Sequence, residues 1–211
     1  MIHLRDVLVG VWATTLMGAI TALFAIVGIM FAPTPGTINQ GDAIGVRHDG
    51  ARGEGECTTT YITGGYLYTA GHCTQVGDTI TRQRRLGLTS PIGTTILSAH
   101  DDVWDYAVVK LNPGVTGSNT YATNPQPLSV VEPGDMVCHH ARQTNTITCE
   151  HAQLTGDSYL WLPGTHTIKP GDSGGPVWVP GKGLIGAVTH TGAGWRVSAG
   201  GWIDRTHNPP T

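Results

Sequence analysis

Between Cys57 and Ile203 the chain reads as a series of short β-type runs, and no stretch of ten or more residues carries a convincing soluble-helix pattern. The runs are Cys57–Ile62, Tyr66–Ala70, Thr79–Thr81, Thr94–Ala99, Tyr106–Leu111, Met136–Cys138, Thr146–Cys149, Tyr159–Leu162, Pro176–Val179, Leu184–Thr189 and Gly201–Ile203. Turn signals part them: Thr-Gly-Gly at 63–65, Asn-Pro-Gly at 112–114, Glu-Pro-Gly-Asp at 132–135, Leu-Pro-Gly at 162–164 and Val-Pro-Gly-Lys-Gly at 179–183. With 30 Gly and 13 Pro among 211 residues, helices are disfavoured, because each such residue inside a helix costs about 1–3 kcal/mol. Many short strands at regular spacing predict an all-β sandwich or barrels. Asn112–Pro127 has no periodicity and is rich in Gly, Pro, Asn, Ser and Thr, so it reads as a linker between two β-units, about 41–111 and 128–205. A short tail, 206–211, follows.

The N-terminus obeys different physics. No charge falls between Val7 and Gln40, and Val7–Ala32 is almost wholly apolar or small. As a helix that stretch reaches about 39 Å, enough for a hydrocarbon core of about 30 Å. It exceeds the roughly 7–15 residues of a secretory h-region, and the small-x-small cleavage sites near its end are poor. The reading is a hydrophobic helix over 1–32 that acts as an uncleaved signal anchor, with a cleaved signal peptide as the alternative. Arg5 before it gives a slight bias to an N-in orientation, with the bulk of the chain outside. Residues 33–40 read as a Pro/Gly tether.

Four cysteines, at 57, 73, 138 and 149, suit two disulfides in an extracytoplasmic domain, membrane-anchored or secreted. Sequence-local pairing joins 57 to 73 and 138 to 149; counting leaves the two other connectivities open. Cys138, His140, Cys149 and His151 have metal-ligand types, but none of their gaps is the usual pair spacing, so no metal or other cofactor is expected. Charge excludes other classes. Lys+Arg total 12 and Asp+Glu 15, net −3, without the basic stripe of a nucleic-acid binder or the charge run of a disordered tail.

Three segments carry chemistry: Thr69-Ala70-Gly71-His72-Cys73, Trp104-Asp105-Tyr106-Ala107-Val108-Val109 and Pro170-Gly171-Asp172-Ser173-Gly174-Gly175-Pro176. Each alone has a bland reading as a structural His, a strand cap or a tight turn. Together they supply a hydroxyl nucleophile, an imidazole base and a carboxylate to hold the base's tautomer. The N–H groups of Gly171 and Ser173 would face a developing oxyanion, a contribution of about 3–4 kcal/mol. The chain order His72, Asp105, Ser173 differs from the α/β-hydrolase and subtilisin orders.

These three motifs resemble the signatures of the chymotrypsin-like serine proteases, above all the bacterial branch that includes α-lytic protease and the Streptomyces griseus proteases. The resemblance covers roughly residues 41–205. It implies two antiparallel six-stranded β-barrels with the active site between them, His72 as general base, Asp105 as orienting acid and Ser173 as nucleophile. Asp101 and Asp102 compete for the acid's role, but Asp105 alone directly precedes the Tyr-Ala-Val-Val strand. The resemblance also implies the disulfides Cys57–Cys73 and Cys138–Cys149. It places Thr167 and Ile168 at the base of a primary pocket and Thr189-His190-Thr191 along its wall, with Thr189 also supporting Asp105. An uncharged floor points to a neutral residue at the cleavage position. The sequence departs from the pattern in having no third disulfide and no long pro-region before Gly41. Asp172, beside the nucleophile, is expected to take a cation from His139 or Arg142. The expected function is an extracytoplasmic serine endopeptidase acting on protein or peptide substrates. A catalytically silent binding domain is the alternative, and an esterase a minor third.

Overall fold

The computed structural model describes residues 36–48, 55–83, 89–101, 104–154, 159–162, 168–189 and 195–199. The apolar segment 7–32, the expected strand Gly201–Ile203 and the tail lie outside the described residues. Among the described residues no helix is long and apolar enough to cross a membrane. The helices there are two 3-10 turns, Gly71–Cys73 and Leu128–Val130.

Seven strands make the first sheet: β1 (Ala43–Arg47), β2 (Gly55–Thr58), β3 (Tyr61–Thr63), β4 (Tyr66–Thr69), β5 (Thr79–Gln83), β6 (Thr89–His100) and β7 (Asp105–Leu111). Their order is β2-β1-β5-β6-β7-β4-β3, all antiparallel. The second sheet holds β8 (Met136–Ala141), β9 (Thr146–His151), β10 (Gln153–Leu154), β11 (Tyr159–Leu162), β12 (Pro176–Val179), β13 (Gly183–Val188) and β14 (Trp195–Ala199). Its order is β10-β11-β14-β13-β12-β8-β9, also antiparallel.

In each sheet the two edge strands are neighbours in sequence. β2 ends at Thr58 and β3 begins at Tyr61; β9 ends at His151 and β10 begins at Gln153. Two or three residue steps reach about 10 Å at most, so each sheet must curl until its edges meet. This also explains seven strands where six were expected. The run Cys57–Ile62 changes partner between Thr59 and Thr60: the Thr59 amide donates to the carbonyl of Asp42, just before β1 (2.9 Å), and the Thr60 amide to that of Tyr68 in β4 (2.8 Å).

Apolar burial follows this layout. Ile38, Ile44, Val46, Leu67, Ile80, Ile92 and Val109 fill the first sheet's core. Leu128, Val131, Val137, Ile168, Val177, Ile185 and Val188 fill the second's. Each such side chain contributes about 1.5–3 kcal/mol by leaving water. A third cluster joins the sheets, with Leu184 of β13 packed among Tyr61, Tyr68 and Val108. β7 sits inside its sheet and buries residues on both faces, with Lys110 exposed, whereas the edge strand β9 is mostly exposed.

The segments read as tether and linker are fastened to each other. Thr37 bridges Thr116, Pro125 bridges Leu184, and Ile38 is fully buried. The buried Gln40 side chain donates to the carbonyls of Thr60 (3.0 Å) and Ala122 (3.1 Å), and its oxygen accepts from the amides of Tyr121 (2.8 Å) and Ala122 (3.1 Å).

Candidate active site

His72 sits on the 3-10 turn that follows β4. The turn lies flat against the β6–β7 hairpin, which explains Gly71: a Cβ there would fall 1.9 Å from the Ala99 carbonyl oxygen. Ser98 holds the turn from β6, donating to the carbonyls of Thr74 (2.7 Å) and Gly71 (3.1 Å). The Cys57–Cys73 disulfide ties it to β2. The second disulfide joins Cys138 to Cys149, directly paired residues of the β8–β9 hairpin. The cysteine and histidine set considered as a metal site is therefore without thiolates.

Asp105 opens β7 and is buried. Its Oδ1 accepts the backbone N–H of His72 at 2.7 Å, and its Oδ2 lies 2.8 Å from His72 Nδ1. The acid thus fixes both the backbone and the ring of the histidine. Asp101 does something else: its carboxylate accepts the amide of Trp104 (2.7 Å) and caps the β6–β7 turn. Asp102 lies outside the described residues.

Ser173 lies in the loop before β12 and is 6% exposed. First-sheet residues clamp this loop. The amide of Thr58 donates to the Ser173 carbonyl (2.8 Å), its hydroxyl to the Gly171 carbonyl (2.7 Å), and the Thr60 hydroxyl to the Gly174 carbonyl (2.6 Å). Gly174 has φ +84°, and a Cβ would sit 2.3 Å from the Thr58 oxygen, so no other residue fits the clamp. Most amides of the loop are already used. Lys169 donates to Asp172 Oδ2, Asp172 to the Lys169 carbonyl, Gly174 to Val188 and Gly175 to Asp172. Among the described residues' hydrogen bonds, the N–H groups of Gly171 and Ser173 take no acceptor.

His72, His100, Gly171, Ser173 and Thr189 line one cavity of about 590 Å³. Among the described residues' hydrogen bonds none joins the Ser173 hydroxyl to His72, whose Nε2 lies 3.9 Å from the Cys73 sulfur. Catalytic hydrogen bonds of an empty site are often long and tighten when substrate binds.

Ile168 is 3% exposed and packs in the second sheet's core among Leu128, Val137 and Val177. Asp172, fully buried, accepts hydrogen bonds from the backbone amides of Gln143 (2.8 Å) and Lys169 (2.9 Å); of the two cations expected beside it, Arg142 turns its guanidinium to Glu56 instead, and His139 is buried on β8. Of the expected pocket residues Thr189 lines the cavity, whereas Thr167, His190 and Thr191 lie outside the described residues. Sequence reasoning passed over Thr58, Thr60, Ser98 and His100. His100 pairs with Asp105 across the β6–β7 hairpin, and its signal was the acidic turn that separates the two residues.

No protein-family model and no curated protein matches the sequence. Solved structures do match the fold. Chymotrypsin of Cellulomonas bogoriensis is similar at TM-score 0.59 and 20% identity, over 81% of this chain and 96% of that one. Protease A of Thermobifida fusca gives TM-score 0.59 and 17% identity over the same shares. A scabies mite inactivated protease paralogue gives TM-score 0.55 and 14% identity, over 79% of this chain and 92% of that one. The chain therefore has the fold of the chymotrypsin-like serine proteases, bacterial members included.

Proposed function

We propose that this protein is an extracytoplasmic serine endopeptidase. The observation that carries the reading is the buried Asp105 gripping His72 at two atoms, on the wall of a cavity that also holds Ser173 and two unused amides. Asp105 keeps the proton on Nδ1, so Nε2 is the basic nitrogen. When a peptide enters, Nε2 takes the proton from the Ser173 hydroxyl as Oγ attacks the scissile carbonyl. The carbonyl oxygen becomes negative and accepts hydrogen bonds from the N–H groups of Gly171 and Ser173. The imidazolium, stabilised by Asp105, gives its proton to the leaving amine, and the acyl group remains on Ser173. Water, deprotonated by the same nitrogen, then releases the acid. Thr167, His190, Thr191 and the cavity residue Thr189 form the primary pocket, which takes a neutral residue. Residues 7–32 anchor the domain with the N-terminus inside, and the two disulfides suit the exterior.

The alternative is a silent binding domain of the same fold, and the inactivated mite paralogue is a precedent for that. A serine-directed phosphonate separates the two. Labelling at Ser173 with casein hydrolysis supports the peptidase. Labelling with ester but not casein hydrolysis supports the esterase. An unlabelled, folded protein identifies the silent domain.

A further inference from the structure

The carboxylate of Asp105 faces two imidazoles. His72 Nδ1 is 2.8 Å from Oδ2, and His100 Nδ1 is 3.3 Å from Oδ1. The two rings lie 5.7 Å apart, tilted by 60°. A triad needs one imidazole on its acid, so the second has no part in the mechanism above.

One ligand atom from each of His72, His100 and Asp105 can be chosen so that all lie within 4.8 Å of one another. Two imidazoles and a carboxylate make a donor set of the zinc type, with a fourth position left for water. Around a tetrahedral ion with bonds of about 2.0–2.1 Å, ligand atoms stand about 3.3 Å apart. His100 Nδ1 already stands at that distance from Oδ1, whereas His72 Nδ1 lies 2.8 Å from the other oxygen, Oδ2, so the carboxylate must turn to bring one oxygen between the two rings. The site is reachable: the His100 side chain is 62% exposed and that of His72 29%, while Asp105 is held from below at 9%. Cys73 also lies near His72, but its sulfur is consumed in the disulfide and has no thiolate to offer.

We propose that His72, His100 and Asp105 form a reversible site for one zinc-class divalent ion, which replaces the proton shared between His72 and Asp105. The ion binds the neutral imidazoles and the ionised carboxylate, and the Nδ1 proton of His72 goes to solvent. The binding stands independently of the peptidase reading, whereas its consequence rests on that reading: with zinc in place the base is lost and turnover stops.

The test uses the full chain without a polyhistidine tag, stripped with EDTA. Zn²⁺ is titrated by calorimetry and Co²⁺ by visible absorption. The expected result is one ion per chain and loss of the low-field proton resonance of His72 Nδ1–H on zinc addition. His100→Ala should weaken binding by about 100-fold or more, since losing a ligand exceeds the 10–100-fold that losing a ligand's support costs. Zinc should inhibit casein hydrolysis, EDTA should reverse it, and His100→Ala should abolish the difference. Ser173→Ala should bind cobalt like the wild type. His48 lines the same cavity and pairs with Asp78 at 2.8 Å; unchanged affinity in His100→Ala, or binding lost instead in His48→Ala, overturns the proposal. His100-dependent cobalt binding in a protein without peptidase activity leaves the site standing and sinks the peptidase reading. An active enzyme that binds no ion sinks the site alone.

Discussion

Thr58 donates its amide to the Ser173 carbonyl at 2.8 Å and its hydroxyl to the Gly171 carbonyl at 2.7 Å. One residue at the end of β2 thereby sets both ends of the Gly171–Ser173 segment from the opposite sheet. Thr58→Val keeps the shape and the amide but leaves the Gly171 carbonyl without its donor. We expect a stability loss of about 1–3 kcal/mol by urea denaturation. We also expect kcat to fall about 10-fold, or roughly 1.4 kcal/mol of barrier. Unchanged kcat would mean that the clamp does not position the oxyanion donors.

The His72–Asp105 geometry predicts unequal triad variants. Ser173→Ala and His72→Ala should lose nearly all turnover. Asp105→Asn should fall on the order of 10⁴-fold, as in other Ser-His-Asp triads, and keep a small residue of activity at high pH. Peptidase activity that survives Ser173→Ala would assign the chemistry elsewhere.

Asp172 is held by the amides of Gln143 and Lys169, which predicts that shape matters more than charge. Asp172→Ala leaves two part-buried N–H groups without their acceptor and should cost about 1–3 kcal/mol. Asp172→Asn retains one acceptor oxygen and should cost less than half of that. Equal damage in the two variants would point to a cationic partner instead.

The two disulfides should differ in what they support. Cys57–Cys73 closes a 16-residue separation and carries the turn bearing His72, so its double Cys→Ala variant should lose about 3 kcal/mol and most activity. Cys138 and Cys149 already face each other in a hairpin ladder, so removing that bridge should lower stability by less and leave kcat nearly unchanged. Chemical denaturation and casein hydrolysis of the two variants check both statements.

Asp135 accepts hydrogen bonds from the Glu132 amide (2.7 Å) and Lys182 Nζ (2.8 Å), and these hold its carboxyl below the usual range. A lowered folded-state pKa gives stability that is present above the ordinary carboxylate value, about 3.9, and is lost as pH falls through the lowered one. Asp135→Asn should therefore melt earlier than the wild type at neutral pH, and the gap should close in acid below about pH 4. A gap that persists there would show that the effect is packing.

Much of the molecule was legible in one dimension because its signals are local. Alternation and β-branched content marked Tyr106–Leu111, Pro-Gly turns parted the strands, and three short motifs marked His72, Asp105 and Ser173. The roles proposed for them rest on side-chain chemistry, chain order and the resemblance. The strands Ala43–Arg47 and Trp195–Ala199, β1 and β14, were not marked in the sequence; their ladders with neighbouring strands define them. The amides that hold Asp172 were not foreseen because backbone amides leave no trace in residue type, and any residue at 143 or 169 except proline could donate. Ile168, one residue past the position expected at the pocket's base, takes its burial from the second sheet's packing. Thr58 and His100 gained their positions from the hydrogen-bond registers of the curled sheet. Register couples residues far apart in sequence, so which threonine clamps the serine loop and which second imidazole meets Asp105 were decided by tertiary structure alone.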